Sequence, residues 1–117
     1  MSLRMEKVNQ EIKKQLMDIV QKDIDDPVAD FLSITKVETT PDLHESRVYY
    51  SLLDETKYDK AQNVLDSMKG FIRGNLGKRI RLKFLPELNF IADTSIKYSV
   101  DIYQKIEEIK EDENNVR

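Results

Sequence analysis

The chain has 117 residues, with 22 acidic and 19 basic side chains, a formal net charge of −3, one histidine and no cysteine. One domain suits this length; the cysteine and histidine counts exclude disulfides, thiolate metal sites and histidine-rich metal sites, leaving only a carboxylate-bound Mg²⁺ open. No segment has the roughly 20 apolar residues of a membrane span, and residues 1–6 lack a signal-peptide core, so we expect a cytoplasmic protein without a membrane partner.

The first predicted element is an amphipathic helix over about residues 3–24. Its apolar residues recur at helical spacing: Val8, Ile12, Leu16, Ile19 and Ile24. We expect it to end at Asp25-Asp26-Pro27, because the residue before a proline is pushed out of the helical region.

A β-hairpin is predicted next. Residues 34–40 are rich in β-branched side chains, and residues 41–46 have the composition of a loop. In residues 47–52 the apolar Val48, Tyr50 and Leu52 alternate with their neighbours, which is the period of a strand buried on one face.

Two consecutive helices follow. Residues 56–59 have the form of an N-terminal capping signal headed by Thr56, and apolar residues from Tyr58 to Ile72 then keep helical spacing. Gly70 lies inside this run. Because glycine costs a helix interior about 1 kcal/mol relative to alanine, we expect Gly70 to kink or break the run into two helices.

The second of these helices carries the most informative feature of the chain. Five cations and no anion lie between Arg73 and Lys83. Ile72, Leu76, Ile80 and Phe84 form an apolar stripe at a spacing of four, and Gly74, Lys78 and Arg81 lie roughly opposite. A local basic field can hold a polyanion even on a weakly acidic protein, so this pattern is compatible with phosphate binding. A merely solvated helix face would give the same pattern.

Pro86 ends this segment, and residues 88–92 alternate as a third strand. Residues 93–95 offer helix caps, and apolar residues between Ile96 and Ile109 predict a last helix. The predicted fold is therefore α+β, in the order α-β-β-α-α-β-α, with a three-stranded sheet packed against helices and a glycine-kinked helix pair. This is the order of a type II KH domain. We assign residues 1–110 to one domain and residues 111–117 to a charged, frayed tail.

The sequence also resembles the ribosome-binding factor A family over about residues 4–106. The matching residues are Arg4, Lys7-Val8, Asp26-Pro27, Ser33-Ile34-Thr35, Val37, Asp42-Leu43, Gly70-Phe71-Ile72-Arg73, residues 76–82, Pro86-Glu87-Leu88, Phe90, Asp93 and Ser95. Their order and spacing together are specific, although each piece alone is weak.

The resemblance implies a type II KH-like assembly factor that binds the immature 30S subunit near the 5′ end and decoding region of its 16S rRNA. It implies help in folding or processing that RNA, departure before translation, and greater importance in the cold. It implies no catalytic activity. With this reading we expect a monomer without cofactor or small-molecule substrate.

The family has an Ala-x-Gly kink where ordinary KH domains have a G-x-x-G clamp. The matching residues here are Met68-Lys69-Gly70, and Met68 departs from the small residue of the family. The pattern Gly74-Asn75-Leu76-Gly77 also spells G-x-x-G, but we interpret it as part of the second helix, with Leu76 facing the core.

The candidate rRNA contacts are the cations and two glycines of the helix pair, and two cations of the first helix. They are Lys69, Gly70, Arg73, Gly74, Lys78, Arg79, Arg81, Lys83, Arg4 and Lys7. Lys83 has an alternative role in satisfying carbonyls at the helix end. Arg4 and Lys7 qualify if the first helix flanks the patch, and are otherwise a solvated helix start.

Other functions have weaker support. Tyr49, Tyr50, Phe90 and Tyr98 could stack on bases, but their spacing favours core packing, and His44 is interpreted as a polar loop residue.

No nucleophile, phosphate loop or metal spacing accompanies the acids Asp25, Asp26, Glu87 and Asp93, so catalysis is not predicted. The stronger rival is a protein-interaction module without RNA binding, because residues 1–69 are acidic and the last predicted helix is amphipathic.

Overall fold

The computed structural model describes residues 3–93. It has α1 (Leu3–Asp23), β1 (Leu32–Thr39), β2 (Glu45–Leu52), α2 (Tyr58–Ser67), α3 (Lys69–Arg79) and β3 (Glu87–Ala92). Short 3-10 helices, Pro27–Phe31 and Glu55–Lys57, precede β1 and α2. The predicted α+β fold with a three-stranded sheet is confirmed. The predicted last helix and the tail lie outside the described residues.

Helix α1 begins and ends close to its predicted bounds. Its apolar stripe is buried, with Ile12, Leu16 and Ile19 fully covered. The Asp26 carboxylate accepts the N–H of Val28 at 3.0 Å and so caps the 3-10 helix that begins at Pro27. The chain is thereby turned out of α1 and into β1, as the aspartate-proline pattern predicts.

The sheet has the order β1-β2-β3, with β1 antiparallel and β3 parallel to β2. Val48 of β2 lies between Val37 of β1 and Phe90 of β3, and all three are buried. The predicted hairpin is confirmed, but its loop is shorter than expected because β2 begins at Glu45.

The helix pair is also present, with its break at a different residue. Helix α2 ends at Ser67 and α3 begins at Lys69, so the break is at Met68, with φ −96° and ψ 2°. Gly70 lies in the first turn of α3. Any L-residue can adopt the backbone angles of Met68, so the break does not require glycine.

The predicted cap of α2 is wrong. Both the N–H and the hydroxyl of Thr56 donate to Asp54 Oδ1, at 2.9 and 2.6 Å. Asp54 therefore caps the 3-10 helix that leads into α2, and α2 itself has no side-chain cap. The carboxylate of Asp54 is a stronger hydrogen-bond acceptor than the hydroxyl of Thr56. Because it binds that hydroxyl, Thr56 does not cap α2.

Helix α3 is shorter than predicted. It ends at Arg79, and Ile80 is extended, with φ −129° and ψ 150°. Ile80 and Leu82 then pack against the core while Arg81 and Lys83 are exposed, which is an alternation of two. As a result, Arg81, Lys83 and Phe84 lie on the loop before β3 and not on a helix face.

One hydrophobic cluster joins the three helices to one face of the sheet. It contains Ile12, Leu16, Ile19, Val20, Ile24, Val28, Ala29, Leu32, Ile34, Val37, Val48, Tyr50, Ala61, Leu65, Ile72, Leu76, Leu88 and Phe90. At its edge the buried Asn9 of α1 accepts the N–H of Thr39 at 3.0 Å. This bond gives the end of β1 a partner that the sheet does not supply.

We expect Asn9→Ala to lower the free energy of unfolding by about 1–3 kcal/mol, because the Thr39 N–H then loses its buried acceptor. Urea unfolding followed by circular dichroism measures the change. Asn63→Ala, on an exposed position of α2, is the control and should be neutral or slightly stabilising. Equal losses in the two variants would contradict the role assigned to Asn9.

Candidate nucleic-acid interface

The structure divides the basic residues of the α3 segment into two groups. Arg73 belongs to the first group, whose members bind other parts of the same chain. Its Nε donates to the Pro86 carbonyl at 3.1 Å and its Nη2 to the Leu85 carbonyl at 2.7 Å. Arg73 therefore fastens α3 to the loop before β3.

Arg79 is the second member of this group, and it binds α1. Its Nη1 donates to the carboxylate of Asp18, and its Nη2 lies 3.2 Å from Asp23 Oδ2. The hydrogen bond from Arg79, and after it the one from Lys22, holds the pKa of Asp18 below its ordinary value. The Arg79 side chain is 29% exposed, so most of it is covered by these contacts.

The second group, which we name the open cations, consists of Lys69, Lys78, Arg81 and Lys83. Among residues 3–93, none of the four lies within 4.0 Å of a carboxylate. Lys78, Arg81 and Lys83 are exposed, and Lys69 is half-buried. Their charge is therefore not neutralised by an ion pair within the described part of the chain.

Two glycines leave the backbone of α3 uncovered beside these cations. Gly70 and Gly74 are exposed on the side of α3 away from the buried Ile72 and Leu76. A Cβ built on either glycine meets no atom within 4 Å, whereas one on Gly77 would lie 3.0 Å from Leu85 Cδ2. Packing accounts for a small residue at Gly77 but not for Gly70 or Gly74.

The G-x-x-G pattern lies within α3, as predicted. Residues 74–77 are helical and Leu76 is fully buried. They form no loop that could clamp a nucleic-acid backbone as in ordinary KH domains.

The two cations of α1 point to different places. Arg4 lines an open hollow together with Arg81 and Lys83. Lys7 instead lines a separate hollow with Lys36 and Glu38 of β1. The structure therefore brings Arg4 to the hollow of Arg81 and Lys83, two of the open cations, whereas Lys7 borders another hollow.

One aromatic residue, Phe84, lies away from its predicted position. Phe84, predicted on the apolar stripe, is 47% exposed. Its ring stacks on His44, with centroids 5.5 Å apart and planes at 19°, and Lys83 Nζ lies 5.6 Å from its centroid. The alternation between residues 80 and 83 is the signal that could have placed Phe84 on an extended loop.

The remaining aromatic and acidic predictions have simpler outcomes. Tyr50 and Phe90 are buried, as expected, and Tyr98 lies outside the described residues. Asp93 Oδ2 accepts the hydroxyl of Thr35 at 2.7 Å.

Within residues 3–93 no cluster of three or more metal-binding side chains is found, and no helix there is long and apolar enough to cross a membrane.

Known proteins are similar to this chain in both sequence and fold. A family model described as ribosome-binding factor A matches residues 4–106. Ribosome-binding factor A of Staphylococcus carnosus is 40% identical over 108 residues, which cover 92% of this chain and 94% of that protein. The resemblance predicted from the sequence is confirmed.

Two solved structures show the same fold. The crystal structure of Thermus thermophilus ribosome-binding factor A has a TM-score of 0.69 at 23% identity and covers 75% of this chain and 94% of its own. A homology model of the T. thermophilus factor, fitted into the cryo-EM map of a 30S complex, has a TM-score of 0.63 at 23% identity. It covers 74% of this chain and 91% of its own.

The two groups of cations should differ in their effect on stability. We expect Arg73→Ala to lower the free energy of unfolding by about 1–3 kcal/mol, because two carbonyls lose a charged donor. Arg81→Ala, the same substitution at an open cation, should change it by no more than about 0.5 kcal/mol. Urea titrations of both variants make the comparison, and a loss at Arg81 equal to that at Arg73 would refute the division.

Proposed function

The chain belongs to the ribosome-binding factor A family, and from that premise we propose that it binds the immature 30S subunit through 16S rRNA. It assists maturation of the subunit and processing of the 5′ end of the rRNA, and then dissociates. It acts in the cytoplasm as a monomer, without catalytic activity, cofactor or small-molecule substrate. Its contribution becomes larger in the cold.

The observation that carries this proposal is the set of open cations on and after α3. Folded rRNA presents mainly phosphates and 2′-hydroxyls, which lysine and arginine bind without reading sequence. Lys69, Lys78, Arg81 and Lys83 are available for such contacts, and Arg4 extends the patch from α1. Arg73, Arg79 and Lys7 contribute less directly, because two of them bind this chain and Lys7 lines another hollow.

The exposed glycines give independent support. In a helix interior, where Gly74 lies, glycine costs about 1 kcal/mol relative to alanine. Nothing within the described residues fills the space beside Gly70 and Gly74. A bare helix surface between cations lets a phosphate backbone approach more closely than a surface with side chains, so the glycines suit a partner outside the chain.

A protein-interaction module is the second candidate. Phe31 and Leu53 are 65% and 90% exposed and border an apolar hollow between the segment before β1 and the segment before α2. Exposed apolar side chains of this size favour a protein partner. Association through this hollow should survive nuclease treatment and depend little on salt.

Cosedimentation with purified 30S subunits and with whole ribosomes, each at two salt concentrations, separates the two functions. We expect salt-sensitive binding to free 30S subunits. For single-stranded RNA, the slope of log K against log [salt] should be about −0.7 per neutralised phosphate. Absence of binding to either particle would reject the proposed function and favour a protein partner.

Charge reversal of two open cations tests the interface. We expect Lys78→Glu with Arg81→Glu to weaken 30S binding at least about tenfold, or about 1.4 kcal/mol, because two attractions become repulsions. Lys57→Glu with Lys60→Glu changes the net charge by the same amount at the apolar hollow, which neither Lys78 nor Arg81 lines, and should leave binding nearly unchanged. Unchanged 30S binding by a folded double variant at Lys78 and Arg81 would make the proposed interface untenable.

Alanine at the exposed glycines should move stability and binding in opposite directions. We expect Gly70→Ala with Gly74→Ala to raise the free energy of unfolding by about 1 kcal/mol, mostly through Gly74, because Gly70 lies in the first turn of α3. The added methyl groups should also weaken 30S binding, because they hold the helix backbone away from the phosphates. Thermal unfolding and cosedimentation measure the two effects, with Asn63→Ala on α2 as the control. A stabilised variant that binds normally would show that the glycines take no part in binding.

A further inference from the structure

The hollow that Arg4 shares with the loop before β3 has a composition of its own. Three separate segments form it: the start of α1, the turn between β1 and β2 at residues 41–44, and residues 81–84. We call it the loop hollow. We propose that the loop hollow binds an unpaired nucleotide of RNA, with its base on the His44–Phe84 pair and its phosphates on Arg4 and Arg81. This inference rests on the proposed function and names the form of RNA that part of the interface takes.

The aromatic pair is the first argument. Phe84 is 47% exposed, and its ring stacks on His44 with centroids 5.5 Å apart. A base that stacks on an outer face of this pair continues an existing stack. Exposed aromatic rings beside cations are the means by which proteins hold single-stranded nucleic acid, because paired bases inside a duplex have no free faces.

The position of the pair is set before any ligand arrives. The His44 N–H donates to Asp42 Oδ1 at 3.1 Å, and its carbonyl accepts the N–H of Glu87 at 2.9 Å. The preceding Leu43 has a φ of 63°, a left-handed conformation that non-glycine residues rarely adopt. The turn and the start of β3 together hold His44 against Phe84, so little ordering remains to be done on binding.

The charge of the hollow fits a phosphate-bearing ligand. Arg4, Arg81 and Lys83 line it against one acidic side chain, Asp42. Asp42 Oδ1 already accepts the hydroxyl of Thr40 at 2.6 Å and the N–H of His44. Three cations therefore face one anion that is turned toward its own loop, and the surplus is positive. An oligoglutamate peptide would satisfy the cations but has no ring that could stack on the aromatic pair.

Phe84→Ala tests the stacking step. The probes are a single-stranded RNA decamer, a duplex of the same length, an oligoglutamate peptide and intact 30S subunits. We expect Phe84→Ala to weaken decamer binding roughly fivefold to a hundredfold, the loss that follows removal of one base–aromatic stack, and to change duplex binding little. Phe84→Tyr should restore decamer binding because it restores the ring.

Phe31→Ala is the matched control, since Phe31 is 65% exposed and lines the apolar hollow instead. Equal losses at Phe31 and Phe84, or a larger loss toward oligoglutamate than toward RNA, would overturn the inference. Arg81→Ala gives a second test that keeps the ring: it should reduce the salt dependence of decamer binding by about 0.7 in log–log slope.

The outcomes separate this inference from the proposed function. If the unmodified protein binds 30S subunits and Phe84→Ala binds the decamer and the subunits equally well, the nucleotide site is rejected and the proposed function stands. If the unmodified protein does not bind 30S subunits, the proposed function is rejected, and decamer binding by the Phe84 and Arg81 variants still decides the nucleotide site.

Discussion

The parallel pairing of β3 with β2 is the constraint on which the rest of the structure depends. Parallel neighbours cannot be joined by a tight turn, so the chain must cross the sheet between Leu52 and Glu87. Helices α2 and α3 make that crossing. Because α3 buries Ile72 and Leu76 in the core, its opposite side, with Gly70 and Gly74, has to face outward.

The same constraint brings distant segments together after α3. The chain returns from Arg79 to Glu87 beside the β1–β2 turn, and the Glu87 N–H donates to the His44 carbonyl. This return path lays Phe84 against His44 and places Arg81 near the start of α1. Fold and candidate interface therefore have one origin, since the crossing that completes the sheet also exposes the basic segment.

The sequence predicts those parts of this molecule that a single periodicity describes. Helix α1 and strand β2 follow one period throughout, and both were located within two residues. The segment from Leu76 to Phe84 fits two periods, because residues 76, 80 and 84 share a helical spacing while residues 80 and 82 alternate. Only the packing of Leu82 and the end of α3 decide between them, and the helical period is the wrong one for Phe84.

The roles of the cations could not be predicted for a different reason. Arg73, Arg79 and Arg81 look equivalent in sequence, yet the first two bind this chain and the third does not within the described residues. The acidic partners of Arg79 lie 56 and 61 residues away in α1, a distance that no local pattern covers. Arg4 and Lys7 are only three residues apart and still border different hollows, which depends on what packs against each side of α1.

The uneven distribution of charge along the chain confines the proposed rRNA contact to one patch. Residues 69–83 hold six of the 19 basic residues and none of the 22 acidic ones, which leaves 13 basic and 22 acidic residues, a net charge of −9, elsewhere. At physiological salt, attraction between exposed charges fades beyond about 8 Å. An RNA backbone thus gains from this protein only when α3 and its following loop are close to it, and other orientations meet an acidic surface. The proposed contact therefore requires one orientation of the protein on the RNA, with α3 and its following loop against the phosphates.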